Sequence, residues 1–261
     1  MAAPTAPASP AASRFPTRAW RRCRRRATAS PAPRRAASAP ASADRPPMNL
    51  EQSLIWFGCL IVAVILHEIS HGLVALWFGD DTAQRAGRLT LNPVPHIDPF
   101  GSIIIPAFGA LTGVPVIAWA KPVPVNPAKM REPRRDMLWV GLVGPFSNFV
   151  LAITAAFAAR ALYEGMDTSG IGSFEDLPLL IRIVFSFALV NFFLGIFNLL
   201  PIPPLDGSSL LERVLPERYL PGWYRFRPYG MLILFALVFW TGVIDKLFAP
   251  VYRNLAQFVF A

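Results

Sequence analysis

LEQSLIWFGCLIVAVILHEISHGLVALWF, residues 50–78, reads as a single helix with chemistry concentrated in its last third. From Leu50 to Leu66 there is one charge, Glu51 at the edge. The run is long enough to cross a bilayer, which takes about 20 predominantly apolar residues. Then comes His67-Glu68-Ile69-Ser70-His71. Two imidazoles four residues apart on a helix differ by about 40° in direction and about 6 Å in height, so both reach one ion from a single face. Glu68 lies about 100° round from His67, placed to act on water rather than on the ion. In this HExxH arrangement the ion polarises a water and the glutamate takes its proton. Ionisable groups at bilayer depth are costly and point to function. The structural alternative is two neutral imidazoles hydrogen-bonded to neighbouring helices beside a protonated Glu68.

The 261 residues are 54% hydrophobic with a formal charge of +9, a composition of membrane proteins. Residues 1–47 hold ten arginines and one acid, Asp44, whereas residues 48–261 balance fifteen basic against fifteen acidic side chains. The basic character therefore belongs to the tail, and no nucleic-acid surface is expected on the rest. Two domains follow: 1–47, a disordered basic Ala/Pro/Arg tail, and 48–261, a membrane-embedded unit. The tail fits a transit peptide, a basic arm on anionic lipid, or sequence upstream of a true start at Met48, which is the favoured reading. Cys23 and Cys59 suggest neither a disulfide nor a cysteine metal site.

The expected fold class is an all-α polytopic membrane protein. It has four clear transmembrane helices, one re-entrant or additional membrane segment, and short edge strands near the site. The spans are 50–78, Met137–Tyr163, Leu179–Leu200 with Arg182 snorkelling near its start, and Tyr229–Leu247. Residues 88–91 and 121–125 are the edge strands. Asp98 followed by Pro99 predicts a helix start, and glycines and prolines break the uncharged segment 99–120, so it is expected to re-enter. The loop 165–178 is acidic, whereas 121–135 and 213–227 are basic, which places the basic loops in the cytoplasm. For His67 and His71 to meet Asp206 at similar depth, the spans starting at Leu50 and Leu179 must run the same way, which requires segment 99–120 to re-enter rather than cross.

A third ligand is required. His96, Asp98 and Asp206 are candidates. Asp98 is explained as a helix cap, and His96 as a solvated or substrate-orienting loop residue. Asp206 ends a span among Pro203, Pro204 and Gly207, where broken backbone points a carboxylate inward. Two histidines and one carboxylate leave a fourth position open, as catalytic zinc requires, and this donor set suits zinc without fixing the metal.

Taken together, HEISHG at 67–72, GPFSN at 144–148 and NLLPIPPLDG at 198–207 resemble the site-2 protease family of intramembrane zinc metalloproteases. GDD at 79–81, LNPVPHIDPFGS at 91–102 and WAKPVPVNP at 119–127 are similar to its compact bacterial branch without a PDZ domain. The resemblance covers about residues 48–248 and implies one zinc per chain, held by His67, His71 and Asp206, with Glu68 as general base. It also implies that Asn148 and Asn198 lie near the site and hold the substrate strand or the developing oxyanion, with helix–helix hydrogen bonding as the alternative. The implied partners are a transmembrane protein or peptide substrate and the lipid bilayer, in a bacterial plasma membrane, or an organellar one if the tail is a transit peptide. Competing classes are a membrane metal-ion transporter, which has no need of Glu68 as a base, and a catalytically silent scaffold.

Overall fold

The computed structural model describes residues 50–104, 120–169 and 171–261, which fall within one compact unit, Met48–Ala261. Eight α-helices are found among them: α1 Leu50–Trp77, α2 Thr82–Arg85, α3 Pro133–Glu164, α4 Leu179–Asn198, α5 Gly207–Val214, α6 Leu220–Phe226, α7 Gly230–Thr241 and α8 Val243–Phe260. Only α1, α3 and α4 are both long and apolar enough to cross a membrane.

α3 begins where its sequence provides a start. Pro133 takes the first helical position, and the buried Asp136 carboxylate accepts from Glu132 N–H at 2.9 Å, covering a donor the helix leaves open. α4 follows Pro178 and ends before Pro201, a residue without an N–H to continue the ladder. α1 and α4 are parallel. Their first turns are joined by Arg182, which donates to Glu51 at 3.0 Å and to Gln52 at 3.1 Å, and their far ends meet through His67, His71 and Asp206. α3 runs the other way, with Val140 and Gly144, near its N-terminus, against the histidines.

The three spans pack through small residues, which let helices approach closely where lipid provides no hydrophobic drive. Ala155, Ala156 and Ala159 of α3 meet Phe185, Ala188 and Leu189 of α4, and α8 lays Leu255 and Val259 on both. Cys59 and Ala63 of α1 pack on Val190 of α4, and Ala75 on Val140 of α3.

Three expectations need correction. The span expected over Tyr229–Leu247 is split at Gly242, whose φ of +60° lies in the left-handed region that an α-helix cannot continue through. The twelve residues of α7 reach only about 18 Å, short of the roughly 30 Å hydrocarbon core. Residues 88–91 and 121–125 are not strands, and none forms among the described residues. Segment 121–125 has no regular structure, and its backbone is bound by the Glu68 and Arg88 side chains and the His96 carbonyl rather than by a neighbouring strand. Arg182 does not snorkel. It is buried, because Glu51 and Gln52 neutralise and bond it in place.

Asp98 does cap the turn after it: its Oδ1 accepts from Phe100 and Gly101 N–H at 3.0 and 2.7 Å, opening a π-helical turn over Pro99–Ile104. The rest of the expected re-entrant segment, to residue 119, lies outside the described residues, as does the tail 1–47.

Candidate metal centre

His67 and His71 project from one face of α1, both buried, with their Nε2 atoms 3.0 Å apart. Asp206 Oδ2 lies 3.0 Å from His67 Nε2 and 3.3 Å from His71 Nε2. The carboxylate gets there because Pro201, Pro203 and Pro204 stop α4. The chain turns instead through Ile202 N–H to Leu200 C=O at 2.8 Å and Leu205 N–H to Ile202 C=O at 2.9 Å. Asp206 Oδ2 is buried yet makes no well-aligned hydrogen bond.

This arrangement fits a metal. Four tetrahedral ligands about 2.0 Å from zinc are about 3.3 Å from one another, close to the separations seen here. Among the described residues these three form the group whose ligand atoms converge on one point.

The far sides of the rings decide which nitrogen is free. His71 Nδ1 lies 2.5 Å from the Val140 carbonyl. A carbonyl only accepts, so Nδ1 carries the proton and Nε2 keeps a lone pair for a metal. The Asn148 amide lies 3.0 Å from His67 Nδ1, and the asparagine is wholly buried. An amide turned by half a revolution presents oxygen in place of nitrogen. With Oδ1 towards the ring, Asn148 accepts from Nδ1–H, frees His67 Nε2, and gives its otherwise unpartnered oxygen a bond.

Gly144 allows α3 to come this close. A Cβ there would lie 2.6 Å from Cε1 of both His67 and His71, a separation no side chain tolerates. The GPFSN motif thus contributes room at Gly144 and a ring partner at Asn148.

Glu68 is half-buried beside the two histidines, and its Oε2 accepts from Val123 N–H at 2.7 Å. The remaining sequence candidates lie elsewhere. Asn198 donates to Leu194 C=O of its own helix at 3.0 Å. His96 is buried in the loop, its Nε2 at 3.0 Å from the Thr90 carbonyl, and its own carbonyl accepts from Lys121 N–H at 2.9 Å.

Sequence reasoning overlooked the loop residues that frame Glu68. Asp80 is wholly buried and accepts from Asn126 N–H at 2.5 Å, from Thr82 N–H at 3.0 Å and from the Thr82 hydroxyl. Burial pushes its carboxyl up, but the Thr82 hydroxyl and the two backbone donors outweigh burial and hold it below the usual carboxylate range. Asp81, hydrogen-bonded to Lys129 at 2.7 Å, is also held low. An acid pair directly after a membrane span, in GDD at 79–81, was the available signal.

Comparison with known proteins agrees with this chemistry. The profile of peptidase family M50 matches residues 166–240. The "Putative zinc metalloprotease YwhC" of Bacillus subtilis is 36% identical over 216 residues, covering 75% of this chain and 91% of that protein. Rip2 of Mycobacterium tuberculosis, named likewise, is 32% identical over 182 residues, covering 67% of this chain and 64% of its own. A zinc metalloprotease of Methanocaldococcus jannaschii is 24% identical over 173 residues, 65% of this chain and 38% of that one. No solved structure matches significantly.

Proposed function

The chain belongs to the M50, or site-2 protease, family and is an intramembrane zinc metalloendopeptidase, and on that premise we propose that His67, His71 and Asp206 hold the zinc while Glu68 is the general base. The observation that carries the assignment is the convergence of two imidazole nitrogens and one carboxylate oxygen within 3.3 Å of one another, with Glu68 alongside. Bound there, zinc supplies a Lewis acid that brings the pKa of water towards neutrality.

The protein's own groups do the rest. Val140 and Asn148 fix the two rings so that both Nε2 atoms face the same point. Val123 N–H holds Glu68 Oε2, leaving Oε1 to take the proton and return it to the leaving amine. Asn198, at the end of α4, is proposed to hydrogen-bond the substrate chain there. The substrate is a protein or peptide segment embedded in the bilayer, and it must unwind, because the carbonyls of a helix are occupied by their own hydrogen bonds. A bacterial plasma membrane is the proposed location.

The test is Glu68→Gln in purified protein, with zinc content and cleavage of a transmembrane peptide both measured. Turnover should fall by about 10²- to 10⁴-fold with one zinc retained. Unchanged turnover would overturn the assignment.

A further inference from the structure

Glu68 is held by backbone that none of the apolar helices supplies. Its hydrogen-bond donor, Val123 N–H, belongs to the irregular segment 120–126. That segment lacks a strand partner among the described residues, and Pro122 and Pro124 have no N–H with which to anchor it. Lys121 N–H donates to the His96 carbonyl at 2.9 Å, and a buried guanidinium anchors the two carbonyls that follow. Arg88 Nη2 donates to the Lys121 carbonyl at 2.7 Å and the Pro122 carbonyl at 2.9 Å, and Nη1 donates to the Pro95 carbonyl. All three acceptors are neutral carbonyls, so the side chain works here as a rigid fork that sets geometry. Two of those carbonyls lie immediately before Val123 in sequence, and the peptide bond that carries Val123 N–H is the Pro122 carbonyl's own. Fixing that C=O fixes the direction of that N–H, because the peptide unit is planar. At the other end Asp80 holds Asn126 N–H independently.

We propose that Arg88 is a positioning residue for peptide-bond hydrolysis: it orients the Pro122–Val123 peptide, whose N–H holds Glu68 Oε2 and presents Oε1 to the proton. This rests on the assignment of Glu68 as general base. A glutamate free to sample its rotamers takes the proton from the wrong place for most of the time, and a displacement of about 1 Å costs about a hundredfold in rate.

The experiment uses the zinc-loaded enzyme in detergent with a transmembrane peptide substrate, and compares Arg88→Lys, Arg88→Gln, Val123→Pro and Glu68→Gln. Lysine keeps the charge but offers one nitrogen in place of two, so it cannot hold the Pro95 carbonyl and the Lys121 and Pro122 carbonyls together in one fixed plane. Arg88→Lys and Arg88→Gln should each lower kcat by about ten- to a hundredfold, with KM and zinc content unchanged. Val123→Pro removes the donor, with a ring carbon in its place and the buried valine side chain lost as well, and should lower kcat at least to the same degree. The double variant Arg88→Lys/Val123→Pro should be no slower than Val123→Pro alone. Amide hydrogen exchange gives a readout independent of turnover. Val123 N–H should exchange at least about tenfold faster in Arg88→Lys, while Asn126 N–H, held by Asp80, keeps its protection.

Native kcat in Arg88→Lys, a multiplicative loss in the double variant, or unchanged exchange at Val123 would each overturn the proposal. Loss of zinc or of the fold in Arg88→Lys would also overturn it, since that marks a structural role. Should Arg88→Gln fail to fold, Arg88→Lys and Val123→Pro still decide the matter. If Glu68→Gln is inactive while Arg88→Lys and Val123→Pro keep the native rate, only the role of Arg88 fails. If Glu68→Gln itself turns over, the assignment of the base fails first.

Discussion

α1 and α4 enclose a polar cluster at each end. At their first turns Arg182 donates to Glu51 and Gln52, and Gln52 donates on to Ser186 at 3.3 Å. At their far ends His67, His71 and Asp206 face each other with two ring nitrogens and a carboxylate oxygen, all acceptors in the tautomers that Val140 and Asn148 impose. In the first cluster donors meet acceptors and charges cancel. In the second, lone pairs meet lone pairs, an arrangement that a cation completes. Both clusters bring largely buried polar groups to the ends of apolar helices. Donor–acceptor balance separates the structural cluster from the functional one, and burial alone does not.

That contrast can be broken most sharply by removing one member of each cluster. Asp206→Ala should abolish bound zinc and cleavage together, because two imidazoles alone leave the site one ligand short. Zinc content by metal analysis and cleavage of a transmembrane peptide check this. Arg182→Ala should leave zinc bound and lower the unfolding free energy in detergent by about 1–2 kcal/mol. That is below the usual loss for a broken buried pair, because the Glu51 carboxylate it abandons is 58% exposed and stays hydrated. If Arg182→Ala lost zinc as readily as Asp206→Ala, the two clusters would not be separable.

A smaller effect sharpens the second cluster. Asn148→Ala removes the partner of His67 Nδ1 and should weaken zinc affinity by about 10- to 100-fold, read from competition with a chelator. An affinity at the native level would mean that the amide does not set the tautomer of the ring.

The smallest effect lies outside the membrane. Asp80 is held below its ordinary range in the folded protein, so its contribution to stability is complete above the unfolded value near 4. It is lost as the pH falls through the lower, folded value. The protection of Asn126 N–H, whose hydrogen bond Asp80 accepts, taken relative to the intrinsic exchange rate at each pH, should therefore fall only at acid pH. In Asp80→Asn that pH dependence should disappear.

Much of this protein was legible from residue order because its signals are local. A long apolar run sets the length of a span, two histidines four apart share a helix face, and proline after Asn198 ends a helix. The three spans and the His67, His71 and Asp206 group follow from such rules. The fourth span was misjudged because hydropathy does not register the left-handed turn at Gly242. The edge strands were misjudged because alternation of side chains says nothing about whether a partner strand exists.

By itself, then, the sequence determined that a membrane helix carries the HExxH residues and that a proline-broken helix end carries a carboxylate. Only the tertiary structure decided that Asn148 and Val140 govern the ring tautomers, that Gly144 makes room for both imidazoles, and that Arg88 secures the backbone facing Glu68. The reason is physical. Helical period and chain breaking are properties of neighbours in sequence, whereas each of those contacts joins residues more than thirty positions apart, apart from Arg88 with Pro95, through hydrogen bonds or bare space that no local pattern encodes.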